Sequence, residues 1–155
     1  LAPSNGKIIA LNILEALIEL YPDNSDRFTK NYKELIAEID ALDARIKAIL
    51  NNIDQRTFMV FHPAWAYFAE QYHLEQIAVQ VGGQDPSVRE MADLVQIARK
   101  ENIRVIFVQP SFSTSDAEAI AREIDAQVAL VDPLTRDWMG NLEAVAEAFT
   151  AALNQ

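Results

Sequence analysis

Apolar positions set one rhythm over the first third of the chain and another over the rest. Ile8, Leu11, Leu14, Leu17 and Ile18 recur three or four residues apart, which predicts an amphipathic helix with Ser4 as its N-cap and its end near Tyr21-Pro22. Asp23-Asn24-Ser25-Asp26 then supplies capping side chains and acidic groups suited to a new helix N-terminus. Beyond it, Phe28, Tyr32, Leu35, Ile39, Leu42, Ile46, Ile49 and Ile53 alternate spacings of four and three without a break. This stripe predicts one helix of about 28 residues, roughly 40 Å long. It fits a helix lying along a core, a strut whose narrow face packs on one lobe and then on the next, or a coiled-coil seam.

From Arg56 onward, short apolar runs alternate with helical segments. Phe58-Met59-Val60-Phe61, Ile77-Ala78-Val79, Val105-Ile106-Phe107-Val108 and Val128-Ala129-Leu130-Val131 are continuous rather than alternating, as in strands covered on both faces of a parallel sheet. Between them, Pro63 precedes a helix over Ala64–Gln71, and Ser87 with Glu90 opens one over Val88–Lys100. Ser115 with Glu118 opens another over Ala117–Ile124, and a last helix is expected from about Leu142 to Leu153. The fold class predicted is α/β: a three-layer domain with a four-stranded parallel sheet and right-handed crossovers, preceded by a helix and a long connecting helix. The change of architecture falls near residues 51–56.

Composition narrows the functional classes. Half of the 155 residues are apolar and 23% are charged, which suits a folded domain with a substantial core. The formal net charge of −10 argues against a nucleic-acid backbone or an anionic membrane surface as partner. No cysteine is present, so thiol catalysis, Cys-based metal sites and disulfides are excluded. No stretch reaches the roughly 20 apolar residues that span a bilayer. The chain opens at Leu1-Ala2-Pro3-Ser4 without an initiator Met, and reads as a fragment or a processed product.

Ligands of open α/β sheets bind outside the carboxyl ends of the strands. Those ends lead into His62-Pro63, Gln80-Val81-Gly82-Gly83, Gln109-Pro110 and Asp132-Pro133. In three of the four a polar residue is followed by proline, which fixes the backbone just where the side chain leaves the sheet. His62 and Asp132 stand out, because a neutral imidazole and a carboxylate are both ordinary ligands of a divalent metal. With strand order 2-1-3-4 their strands are separated by one other, roughly 10 Å at about 4.8 Å per strand, so one ion could lie between them. The same two residues also fit a hydrogen-bonded histidine and a helix-capping aspartate. A hydrolase combining them with Ser111, Ser113 or Ser115 lacks a nucleophile elbow. His73 reads as a surface residue at a helix C-terminus, and Trp65, Tyr67 and Phe68 as an aromatic cluster suited to a core.

Three stretches carry a family resemblance. Phe61-His62-Pro63-Ala64-Trp65-Ala66-Tyr67-Phe68-Ala69 with Tyr72-His73-Leu74-Glu75-Gln76-Ile77-Ala78 resembles the third-ligand segment of the zinc and manganese substrate-binding proteins of ABC transporters. Val105–Ser113 and Val131-Asp132-Pro133-Leu134 resemble two later signature stretches of that family, and Leu20-Tyr21-Pro22-Asp23-Asn24 resembles part of its central helices. The likeness runs in order along essentially the whole chain.

The resemblance implies two α/β lobes joined by a rigid helix, with a metal ion between them and two ligands from each lobe. Residues 1–22 would then be a helix of a missing N-terminal lobe, 23–56 the interlobe segment with its helix over 25–52, and 57–155 the C-terminal lobe. It implies that His62 and Asp132 are the third and fourth ligands, that the cargo is Zn²⁺ or Mn²⁺, and that the partner is an ABC permease. It also implies a periplasmic or lipid-anchored extracellular location, no catalysed reaction, and binding that weakens in acid as imidazoles protonate. Two positions depart from the family: His73 stands where Gly often precedes Leu, and Gln109 stands where Glu usually precedes Pro, which could alter hydrogen bonding behind the ligands. A metal-independent adhesin or interaction module is the remaining alternative.

Overall fold

The structure is a computed structural model and describes residues 1–51, 53, 55–80, 82–111 and 115–154. Ser113, and residues 52 and 54 of the stretch 51–56 in which the architecture was expected to change, lie outside the described residues. Helix α1 (Pro3–Leu20) leads through a short 3-10 turn (Pro22–Asn24) into α2 (Ser25–Leu50). Strand β1 (Thr57–Val60), helix α3 (Ala66–Gln71), β2 (Glu75–Ala78), α4 (Val88–Lys100), β3 (Val105–Val108), α5 (Ser115–Ile124), β4 (Gln127–Leu130) and α6 (Trp138–Leu153) follow. All strand pairs are parallel and the order is β2-β1-β3-β4, so the expected sheet is present.

The two inner strands are buried along their whole length, as their continuous apolar runs demand. The edge strands start one or two residues earlier than expected, at Glu75 and Gln127, both exposed. An edge strand is defined by one neighbour's hydrogen bonds, so a polar residue can extend it. One face of the sheet carries Met59, Phe61, Ile106 and Val108 against α4 and α5. The other carries Phe58, Val60, Val105 and Phe107 against α3, α6 and the C-terminal part of α2. These are the three expected layers.

Helix ends explain the remaining differences. Helix α1 starts at Pro3, with Ala2 rather than Ser4 at the N-cap, because proline's fixed φ and missing N–H suit the first helical position. Ser4 instead donates from its backbone N (3.0 Å) and from Oγ (2.7 Å) to Gln71 Oε1. Helix α3 starts at Ala66, so Pro63 lies in the loop ahead of it. Ser87 and Glu90 form the full capping box. Ser115 is the first helical residue of α5, not its cap. Helix α6 starts four residues earlier than expected, at Trp138, because Asp137 accepts from the Gly140 N–H at 3.1 Å.

Three helices end in the same way before a strand. His73, Asn102 and Asp125 take left-handed φ values of 56°, 52° and 57°. In each case the next residue's N–H donates to a carbonyl five residues back, at Ala69, Ala98 and Ala121. This is why glycine suits the position that His73 occupies. His73→Gly is expected to raise stability by about 0.5–1 kcal/mol, the left-handed penalty less glycine's unfolded-state entropy; urea unfolding measures it, and an unchanged or lower midpoint would contradict the account.

Helix α2 spans 26 residues, about 39 Å. Its C-terminal part buries Ile39, Leu42, Ile46 and Leu50. Its N-terminal part, with Phe28, Tyr32 and Leu35, faces Ile9, Ile13 and Leu17 of α1 across an apolar groove of about 470 Å³. One stripe therefore serves two environments. Ile8, Ile9 and Ile13 stay more than half exposed.

Candidate metal centre

The C-terminal ends of the strands form one rim. Beyond the last paired residues the parallel ladder continues: Gln80 N–H donates to the Phe61 carbonyl (2.9 Å), Phe61 N–H to Phe107 (2.8 Å), and Val131 N–H to Val108 (2.9 Å). Along this rim, in the spatial order of the strands, follow Gln80, His62, Gln109 and Asp132. The structure thus brings the two predicted ligands to the same edge of the sheet, one after β1 and one after β4, with the end of β3 between them.

His62 is half-buried, and its Nδ1 lies 3.1 Å from Gln80 Oε1. The segment that carries it is anchored on both sides. Upstream is the fully buried strand β1. Downstream, Trp65 is buried, and its backbone N–H donates to Gln76 Oε1 of β2 at 2.9 Å. Phe68 is fully buried, whereas Tyr67 is exposed, so two of the three aromatics are core as expected.

Asp132 is half-buried and opens the turn after β4. Its Oδ1 accepts from the Leu134 N–H at 2.9 Å, and its backbone carbonyl accepts from Asn141 Nδ2 at 2.7 Å. The side chain therefore shapes its own turn, while Asn141 ties that turn to α6. A carboxylate has acceptor positions beyond the one this bond uses, so the turn and a metal are compatible demands on it.

Gln109 is 6% exposed, and its Nε2 has no hydrogen-bond partner among the described residues. A buried amide donor left in this state is costly. Gln109 is the neighbour expected to tune the site; a hydrogen-bond partner of His62 on the same rim is Gln80. Register shows how the sequence could have given it: with strand order 2-1-3-4, β2 ends beside β1. Among the described residues no three His, Asp or Glu side chains come together as a metal cluster, and no helix is long and apolar enough to cross a membrane.

Comparison with known proteins agrees with this architecture. The family model described as zinc-uptake complex component A, periplasmic (ZnuA) matches residues 1–152. A putative metal-binding protein of Chlamydia muridarum is 30% identical over 150 residues, covering 96% of this chain and 54% of that protein. The high-affinity zinc uptake system protein ZnuA of Bacillus subtilis is 30% identical over 125 residues, 79% of this chain and 39% of that protein. A crystal structure of ZnuA superposes with a TM-score of 0.95 at 44% identity, covering 98% of this chain and 60% of that one. The chain spans about half the length of the curated relatives it matches. By family match, sequence and fold, this chain belongs to the ZnuA family of zinc-uptake complex components.

Proposed function

We propose that this chain is the C-terminal part of an extracytoplasmic substrate-binding protein that captures Zn²⁺ and hands it to an ABC permease, and that His62 and Asp132 are its share of the metal ligands. The observation that carries the reading is their common rim: an imidazole and a carboxylate leave the sheet at the same edge, flanking β3. Imidazole and carboxylate suit zinc and also manganese; the zinc uptake named for the B. subtilis relative favours zinc. In this reading the protein is a carrier and not an enzyme, and it works in the periplasm or at the outer face of the membrane.

Residues 1–22 belong with an N-terminal lobe, 23–56 form the connection, and 57–155 are the C-terminal lobe. The apolar groove between α1 and α2 supports this division, since Ile9, Ile13, Phe28 and Leu35 would be covered by that lobe. Two ligands fill half of a four-coordinate shell, so the 155-residue chain alone binds zinc weakly, and joining it to the rest of the protein raises affinity steeply. Metal titration against a chromophoric chelator tests this, with Mn²⁺ as competitor. In the whole protein, His62→Ala and Asp132→Ala each weaken zinc binding. Tight one-to-one binding by the 155-residue chain, or unchanged affinity in both variants, would overturn the assignment.

A further inference from the structure

Strand register brings a side chain to His62 that the ligand assignment does not use. Ala78 pairs with Val60, so two residues further on Gln80 lies level with His62. Gln80 is 5% exposed. Its Oε1 lies 3.1 Å from His62 Nδ1, and its Nε2 donates to Asp85 Oδ1 at 2.8 Å. Asp85 can reach back because the chain reverses at Gly82 and Gly83, whose φ values are 62° and 77°. A Cβ at either glycine would meet nothing within 4 Å, so the backbone conformation, not space, requires glycine there.

Donor and acceptor chemistry orders this chain of three. An ionised carboxylate only accepts, so the amide nitrogen of Gln80 faces Asp85 and its carbonyl oxygen faces the imidazole. An oxygen acceptor requires a proton on Nδ1. In a neutral imidazole the lone pair then resides on Nε2. A free histidine in water prefers the opposite tautomer, so the surroundings must impose this one.

We propose that Gln80, oriented by Asp85, is a positioning residue that fixes His62 as the Nδ1–H tautomer and thereby makes Nε2 the nitrogen that meets the metal ion. The proposal rests on the reading of His62 as a ligand. Histidine ligands commonly depend on such a bond from the non-ligating nitrogen, which sets both tautomer and ring orientation. Here the acceptor is a neutral amide held by a carboxylate one step further out.

Long-range ¹H–¹⁵N correlation spectra of the ¹⁵N-histidine-labelled 155-residue chain, recorded over a pH series up to its neutral-imidazole limit, read the tautomer directly. His73→Asn assigns the second histidine. The wild type is expected to show His62 protonated on Nδ1. Gln80→Leu and Asp85→Ala are each expected to move the tautomer ratio towards Nε2–H, by about tenfold for Gln80→Leu, the worth of one hydrogen bond. Because Asp85 is exposed, Asp85→Ala preserves the test if Gln80→Leu fails to fold. The double variant Gln80→Glu with Asp85→Asn keeps an acceptor at Nδ1 and a donor behind it, and is expected to restore the wild-type tautomer. Excess Zn²⁺ is expected to shift the Nε2 resonance and leave Nδ1 protonated. An Nε2–H tautomer in the wild type, or an unchanged ratio in both single variants, would overturn the positioning role. Tautomers that follow the prediction while Zn²⁺ perturbs neither nitrogen would instead remove the ligand reading of His62.

Discussion

Phe149→Ala is expected to cost about 3–5 kcal/mol of folding stability, the range for removing a fully buried aromatic ring. Phe149 of α6 is completely buried and sits at the centre of an aromatic cluster. Its ring centroid is 4.4 Å from Phe58 and 4.6 Å from Phe107 on the sheet, and 5.8 Å from Phe68 and 5.9 Å from Trp65 on the segment after His62. The contacts to Phe68 and Trp65 are edge-on, the arrangement that ring quadrupoles favour. The cluster joins α6, β1, β3, α3 and the loop before α3, so neighbours on the rigid sheet cannot close the cavity. For a chain of this length the loss corresponds to a melting temperature lower by roughly 6–20 °C, at about 2–4 °C per kcal/mol. Phe149→Leu keeps most of the volume and is expected to cost less. Urea unfolding measures both, and a cost under about 1 kcal/mol for the alanine variant would show that the cluster is not a keystone of the core. Because Trp65 lies three residues beyond His62, the alanine variant should also loosen the candidate ligand, seen as faster amide exchange over residues 62–72.

The residues that made the fold legible are those whose burial is total. The apolar runs of β1 and β3 are inner strands buried throughout, whereas the equally continuous runs of β2 and β4 lie at the edges and are partly exposed. Heptad-like spacing in α2 gave one long helix, although the same stripe fitted three different roles. The tertiary setting adds that Ile39 to Leu50 enter the core, whereas Phe28 and Tyr32 line a groove with α1. Element ends were less legible, because a helix begins where backbone donors find acceptors. Asp137 supplies such an acceptor and carries α6 upstream, and Pro3 displaces Ser4.

The site was legible to a similar depth. Strand order and the His-Pro and Asp-Pro pairs were enough to put His62 and Asp132 on one rim. In the sequence Gln80 stands only as the first residue after the run Ile77-Ala78-Val79, before Gly82-Gly83, with nothing local to mark it as a partner of His62. Only the Val60–Ala78 register sets its amide against the imidazole. Asp85 was harder still, since its return to Gln80 depends on two consecutive left-handed glycines.

Loss of the Asp43 carboxylate is expected to cost about 1–3 kcal/mol, the penalty for stranding buried partners. Asp43 lies on α2, where the long helix passes the end of α3. Its Oδ1 accepts from Gln71 Nε2 at 2.7 Å and from Tyr72 OH at 2.9 Å, while Oδ2 accepts from Lys47 at 2.7 Å. Gln71 in turn accepts from Ser4 of α1, so one carboxylate gathers α1, α2 and the helix that follows His62. Partial burial pushes the Asp43 carboxyl up, but the bonds from Lys47, Tyr72 and Gln71 outweigh it and hold the group below its ordinary value. Burial and the neighbouring carboxylate push the Tyr72 hydroxyl far up, keeping it a donor. A carboxyl with a lowered folded pKa adds stability that is complete above the unfolded value of about 3.9 and is lost as pH falls through the folded one. Asp43→Ala should therefore be destabilised at pH 7, and adding Tyr72→Phe should recover part of the loss by removing one stranded hydroxyl. Asp43→Asn keeps an acceptor without the charge, so the gap between it and the wild type should shrink as pH falls from about 4 towards 2. A gap that is constant or widens over that range would mean that the charge of Asp43 does not brace helix α2 against the segment carrying His62.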